Sequence, residues 1–131
     1  MSKKVVSNVK KKKEYILSAV LKVWSRPNNT ILSLCRDNGQ VITHVSCGTL
    51  GFKNCRKSTP HATQMAIKKI LEIARDTYLV KEMKVVIRGT GIGRESILTN
   101  LGSYQSIDIT EISDVNSAPY GGVRWARRRR V

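Results

Sequence analysis

The stretch "YILSAVLKVW" (Tyr15–Trp24) decides how the rest of the chain is read. It is too aliphatic and too rich in β-branched residues for a good helix. Tyr15, Leu17, Ala19, Leu21 and Val23 fall on one face at a period of two, so a strand is predicted over 15–24. "SRPNNT" (Ser25–Thr30) ends it, because Pro27 cannot donate to a ladder and Asn28 and Asn29 tolerate turn conformations. A second strand is expected over Thr30–Arg36 and a third over Gln40–Cys47. Between them "DNGQ" carries Asn38-Gly39, the pair that suits a type I′ hairpin turn.

Beyond this meander the pattern changes. "CGTLGFKNCRKSTP" (Cys47–Pro60) reads as a long basic loop. Ser58 or Thr59 can cap a helix whose first position is Pro60. Ile67, Ile70, Leu71, Ala74 and Tyr78 then recur at helical spacing, with Lys68, Lys69, Glu72, Arg75 and Asp76 opposite, so a helix is predicted to about Tyr78. "MKVVIRG" (Met83–Gly89) is a continuous apolar run, expected as a central strand. "GTGIGRES" (Gly89–Ser96) turns into a shorter helix that buries Ile97, Leu98 and Leu101 and ends at Gly102. "SIDITEISDV" (Ser106–Val115) alternates and reads as the last strand. The order βββ-α-β-α-β implies an α/β fold with a mixed five-stranded sheet and helices packed on it, a ribonuclease H-like topology. Three regions follow: a basic N-terminal arm over 1–13, one α/β domain over 14–117, and a basic C-terminal tail over 118–131.

Charge narrows the function. The chain has 131 residues, one domain's worth, with 24 Lys and Arg against 9 Asp and Glu, a formal net charge of +15. Such a domain repels itself unless a polyanion neutralises it, and nucleic acid is the first candidate. No apolar run reaches the roughly 18 residues that span a bilayer, so a membrane partner is not expected. The N-terminus lacks a secretory apolar stretch and is lysine-rich rather than Arg- and Ser-rich. Cys35, Cys47 and Cys55 form no C-x-x-C pair, and His44 and His61 do not complete a zinc set. They read as small apolar fillers in a reducing compartment, with no metal and no cofactor expected.

Several stretches could bind phosphate. In "GTGIGRES", Gly89, Gly91 and Gly93 give G-x-G-x-G with Arg94 next, which is neither a dinucleotide fingerprint nor a Walker loop. The chemistry is still suggestive: glycines let backbone approach a ligand, a helix N-terminus offers free N–H groups, and Arg94 adds charge. The plain alternative is a tight turn without a ligand. In "GFKNCRKSTP", Lys53, Arg56 and Lys57 precede the helix start and the hydroxyls of Ser58 and Thr59. Cations at a positive helix end cost stability, which an incoming anion would relieve. A solvated basic loop is the alternative. Asn28 and Asn29 serve a turn by default and can also reach sugar and phosphate. The tail "APYGGVRWARRRRV" combines Gly121 and Gly122 with Arg124, Trp125 and Arg127, Arg128, Arg129 and Arg130. Arginines bridge phosphates and tryptophan stacks on bases, so the tail reads as an RNA-docked strand, with a nuclear address as the alternative.

Catalysis finds little footing. A metal-dependent nuclease on this sheet needs converging carboxylates. Asp108, Glu111 and Asp114 share one strand region at a spacing of three, so they cannot all point one way. No Ser-His-Asp set presents itself, and no enzyme is expected.

Four stretches together resemble one family: "NNTI" (Asn28–Ile31), "GFKNCRKSTPHATQMA" (Gly51–Ala66), "GTGIGRES" (Gly89–Ser96) and the tail from Pro119 to Val131. The chain resembles universal small-subunit ribosomal protein eleven in its bacterial and organellar form, in order over about residues 14–131. The resemblance implies a structural, non-catalytic constituent of the small ribosomal subunit. It would hold ribosomal RNA in the platform near the exit-site side of the messenger path. Neighbouring small-subunit proteins are implied as partners, with messenger RNA near the exit site as a further contact. By the same resemblance "RKSTP" (Arg56–Pro60) matches the basic loop and cap, "GRES" (Gly93–Ser96) the glycine loop and helix start, and Arg129–Val131 the terminus.

The chain departs from the family where prolines often stiffen the glycine loop, since it carries Thr90 and Ile92. Gly121 replaces the Asn of a common Asn-Gly pair, which removes a site of isoaspartate formation. Arg124-Trp125-Ala126-Arg127-Arg128 stands where members carry Arg-Pro-Pro-Lys-Lys, leaving the tail less pre-extended. Asn-, Ile- and Lys-rich composition and the drifted loop lean towards a mitochondrial ribosome, with the bacterial cytoplasm or a plastid as alternatives. The competing functional readings are an RNA-processing nuclease and a general basic nucleic-acid-binding protein.

Overall fold

The structure is a computed structural model, and it describes residues 15–104 and 106–131. The arm expected over 1–13 lies outside the described residues. The elements are β1 (Ser18–Arg26), β2 (Asn29–Cys35), β3 (Val41–Ser46), a short 3-10 turn (Asn54–Ser58), α1 (Pro60–Asp76), β4 (Glu82–Arg88), α2 (Gly93–Gly102) and β5 (Asp108–Asp114). The sheet runs β3-β2-β1-β4-β5. β2 is antiparallel to both β1 and β3, while β1–β4 and β4–β5 are parallel. This is the mixed five-stranded, ribonuclease H-like arrangement that the element order implied.

Strand β1 is the middle of the sheet, and its core face is Ala19, Leu21, Val23 and Ser25. The predicted strand started too early. Tyr15 and Leu17 are exposed and Ile16 is buried instead, its N–H bonded to the Tyr78 carbonyl (3.1 Å). Ile16 bonds the segment that follows α1 rather than the pleat, so residues 15–17 alternate out of phase with β1. β4 also departs from expectation. It is flanked by β1 and β5, but only Met83, Val85 and Ile87 are buried, while Lys84 and Arg88 are exposed. Both helices lie on one face of the sheet, α1 over β2 and β3 and α2 over β1. β4 therefore needs one apolar face, and Val86 is incidental to the core.

The β2–β3 connection is not a type I′ turn. Gly39 is left-handed (φ 87°) but Asn38 is not, and Gly39 N–H closes onto the Arg36 carbonyl at 2.9 Å. Arg36 N–H also reaches the Gln40 carbonyl at 2.9 Å. That is a three-residue loop with one left-handed glycine, stabilised by Asn38 Oδ1 accepting from Gln40 N–H.

Helix α1 starts as read, with Thr59 Oγ1 accepting from Ala62 N–H and Pro60 in the first turn. It ends at Asp76, and Tyr78 only packs against the core's margin. The chain is turned out by Leu79, left-handed at φ 53°, a position that glycine usually takes. The stripe Ile67, Ile70, Leu71 and Ala74 is buried as its spacing required, and Ala62, Thr63 and Ala66 extend it. In α2, Ile97 and Leu101 are buried but Leu98 is 44% exposed, since a short helix touches the sheet along one narrow line.

Ile70 sits at 1% exposure between sheet and helix. Ile70→Ala is expected to lower the unfolding free energy by about 2–5 kcal/mol in chemical denaturation, because the cavity it leaves cannot collapse against a rigid sheet.

Candidate nucleic-acid interface

The register determines where the candidate residues meet. β1, β3, β4 and β5 all run in one direction, so their C-terminal ends share one edge of the sheet. The β1–β2 turn at Pro27-Asn28, the basic loop after β3, the glycine loop after β4 and the root of the tail after β5 therefore gather there. Both helices start at the same edge. Open α/β sheets bind ligands outside the carboxyl ends of their strands.

In the basic loop, Lys53 and Arg56 are exposed and Lys57 half-buried. Sequence reading missed the 3-10 turn over Asn54–Ser58, which starts at a left-handed Asn54 (φ 53°). Ser58 Oγ donates to the Cys55 carbonyl and Thr59 Oγ1 to the Arg56 carbonyl, both at 2.8 Å. These hydroxyls shape the loop from within. α1 has no acidic residue in its first turn, so Arg56 and Lys57 add to its positive end uncompensated. Asn28 is exposed at the turn, while Asn29 opens β2 with Oδ1 accepting from Thr30 N–H (2.9 Å).

The glycine loop is built differently from expectation. Gly91 and Gly93 are buried. A Cβ on Gly89 would fall on the Ser25 carbonyl, and one on Gly91 on the Arg26 carbonyl. At Gly93 it would come within 2.5 Å of Thr30 Oγ1 and 2.8 Å of Thr63 Oγ1. The close approach that Gly89 and Gly91 permit is to the end of β1, and the one at Gly93 is to the Thr30 and Thr63 hydroxyls of β2 and α1. Gly89 is also left-handed (φ 103°), and Gly91 N–H bonds the Ser25 carbonyl at 3.2 Å. Arg94 is not a free cation: its guanidinium pairs with Asp114 at the end of β5 and also reaches the Gly89 carbonyl (3.4 Å). No side chain caps α2 at Ile92, but Glu95 already occupies its first turn. The loop presents exposed Thr90 and Ile92 and an Arg whose charge is balanced.

Asn116 and Ser117 carry a role that the sequence did not signal. Val115 N–H bonds the Ile87 carbonyl (2.9 Å), Asn116 Oδ1 accepts from Gly89 N–H (2.9 Å), and Arg88 reaches Ser117 Oγ (3.5 Å). The tail is thus clamped to the glycine loop at its root. Beyond it the tail forms no strand; Gly121 (φ 59°), Gly122, Arg124, Trp125 and Arg127 to Arg130 are all exposed. No carboxylate among the described residues pairs with these arginines. No three of His, Cys, Asp and Glu come together among the described residues. Glu111 instead faces Lys84 and Asp114 faces Arg94. Cys35 and Cys47 are buried free thiols and Cys55 is exposed.

Residues 19–130 match the family model described as ribosomal protein S11. The chain belongs to the ribosomal protein S11 family. Full-length similarity agrees. It is 39% identical over 131 residues to the small ribosomal subunit protein uS11 of Bacteroides thetaiotaomicron, covering all of both chains. It is 38% identical over 133 residues to that of Wigglesworthia glossinidia brevipalpis and 36% identical over 131 residues to that of Francisella tularensis subsp. novicida, again covering all of each. These S11 relatives are bacterial.

For an S11 member with this loop packing, Gly89→Ala is expected to cost at least about 2 kcal/mol in thermal or chemical unfolding. The added methyl meets β1 backbone, which cannot move aside. A Gly102→Ala control has open space around its Cβ and should be near neutral.

Proposed function

We propose that this S11-family protein is a structural constituent of the small ribosomal subunit that binds ribosomal RNA through the carboxyl edge of its sheet. One observation carries the reading: the four motif stretches, distant in sequence, converge on one edge that holds unbalanced positive charge. Lys53, Arg56 and Lys57 at the positive end of α1 would take phosphates, with Asn28 and Asn29 beside them on sugar and phosphate. The tail from residue 118 would lie along RNA, with Gly121 and Gly122 permitting close approach. Trp125 would stack, and Arg124 and Arg127 to Arg130 would bridge phosphates bidentately. Gly91, Gly93 and Arg94 then act mainly by holding the glycine loop, the end of β5 and the tail root in register.

Membership of a ribosomal-protein family favours a structural role over a catalytic one. The finer placement, in the platform near the exit-site side of the messenger path beside other small-subunit proteins, follows the family resemblance. A mitochondrial ribosome is supported by the Asn-, Ile- and Lys-rich composition, and a bacterial one by the full-length bacterial relatives. Fractionation of the source cells separates the two.

In cell extract the protein should co-sediment with small subunits. Finding it quantitatively free of them would sink the proposal. With a purified small-subunit RNA fragment, Arg56→Ala should weaken binding and reduce the salt slope by about one, with the fold intact. Arg94→Ala should weaken binding too, because it leaves the Asp114 carboxylate unpaired at the edge. Asp114→Asn in the same chain should restore much of the loss, an outcome that a direct Arg94–phosphate contact would not give.

A further inference from the structure

The sheet carries helices on one face only, and the opposite face is bare among the described residues. Strand register orders what lies on it. Trp24 stands between Ile31 on β2 and Arg88 on β4, and Lys22 between Ser33 and Val86. Trp24 is 42% exposed, the Arg26 guanidinium lies 4.1 Å from its ring centre, and that of Arg88 lies 5.9 Å away. Lys22, Trp24, Ile31, Val86 and Arg88 line a groove of about 380 Å³ that is mostly apolar and has no carboxylate in its lining. Lys22, Arg26 and Arg88 have no acidic partner among the described residues. The acids of this face, Glu82, Asp108 and Glu111, sit at or towards the other end of β4 and β5.

We propose that this bare face is a second RNA site, which takes one or two unpaired bases against Trp24 while Lys22, Arg26 and Arg88 hold the flanking phosphates. A tryptophan exposed on a sheet and ringed by cations is poorly placed for an apolar protein partner, which would have to desolvate three unpaired charges. A single strand of nucleic acid supplies both complements at once, a π-face for the indole and guanidinium and phosphates for the cations. A duplex does not, because its bases are already stacked. The site adjoins the carboxyl edge, since Trp24 and Arg88 lie at the ends of β1 and β4 and Arg88 also touches the tail root at Ser117. Strand leaving that edge has a continuous basic path onto the sheet. The inference rests on the proposed RNA-binding function for its class of partner and on the sheet face for its location.

The test uses the full chain with Trp125→Phe, which leaves Trp24 as the single indole. An unstructured oligoadenylate of about ten nucleotides, a length within the usual range for single-strand sites, is titrated against its fluorescence, beside a hairpin duplex RNA. Saturable quenching by the oligoadenylate is expected, with Trp24→Ala weakening its affinity about tenfold and Trp24→Phe retaining most of it. Should Trp24→Ala fold poorly by circular dichroism, Lys22→Gln with Arg88→Gln keeps the indole and should lose affinity alike. Unchanged affinity in these variants, while Arg56→Ala still weakens small-subunit RNA binding, would overturn the sheet site and leave the proposed function standing. Failure of every form to bind either RNA would overturn both. Concentration-dependent self-association that Trp24→Ala abolishes would assign the face to a second copy and overturn the RNA reading.

Discussion

The contact on which the molecule turns is the seating of the glycine loop on the last residues of β1. Ser25 and Arg26 present their carbonyls at the strand's end, Gly89 and Gly91 bring backbone against them where no Cβ could fit, and Gly93 does the same against Thr30 and Thr63. That seat sets the direction of α2, whose first turn then lies over Thr30 and Thr63. It also holds β5 and the tail, through Arg94–Asp114 and the bond from Gly89 N–H to Asn116. The fit has a cost. The Ser25 hydroxyl is enclosed without a hydrogen-bond partner in the described structure, the one such buried side-chain atom among the described residues. Tolerating it beneath the loop is consistent with the loop's position mattering more than local satisfaction of a polar group.

Around this seat the molecule separates two tasks. Cohesion comes from the covered face, where aliphatic residues of β1, β2 and β4 meet α1 and α2. Charge is placed elsewhere, on the edge, the tail and the bare face. The separation keeps the cations of a chain with a net charge of +15 out of the core. The cations are spread around a neutral core and several are paired, as Lys69 with Glu72 and Arg75 with Asp76 on the exposed side of α1.

Much of the fold was legible in the sequence because its signals are local. Period two in β1, the cap and proline before α1 and the helical stripe each act within a few residues, and the element order follows from them. What escaped is set by partners far away in the chain. Nothing near Leu17 says that Ile16 bonds Tyr78 rather than following the pleat. A continuous apolar run in β4 cannot reveal that both helices choose one face. The candidate site divides in the same way. Arg56, Lys57 and Thr59 sit at the helix start that their own spacing announced. The balancing of Arg94 by Asp114 depends on β4–β5 pairing, and the glycines' real neighbour, the end of β1, lies more than sixty residues upstream. A glycine-rich loop reads the same from sequence whether its room is filled by ligand or by the chain's own backbone.

The seating of the loop also bears on how freely its sequence can drift. Anchoring is confined to alternate positions, and the side chains between them, Thr90 and Ile92, point into solvent. A residue there experiences neither packing nor a demand for a left-handed backbone angle, so a change of side chain leaves the sheet end undisturbed. The anchoring of the loop therefore does not depend on which side chain stands at these two positions.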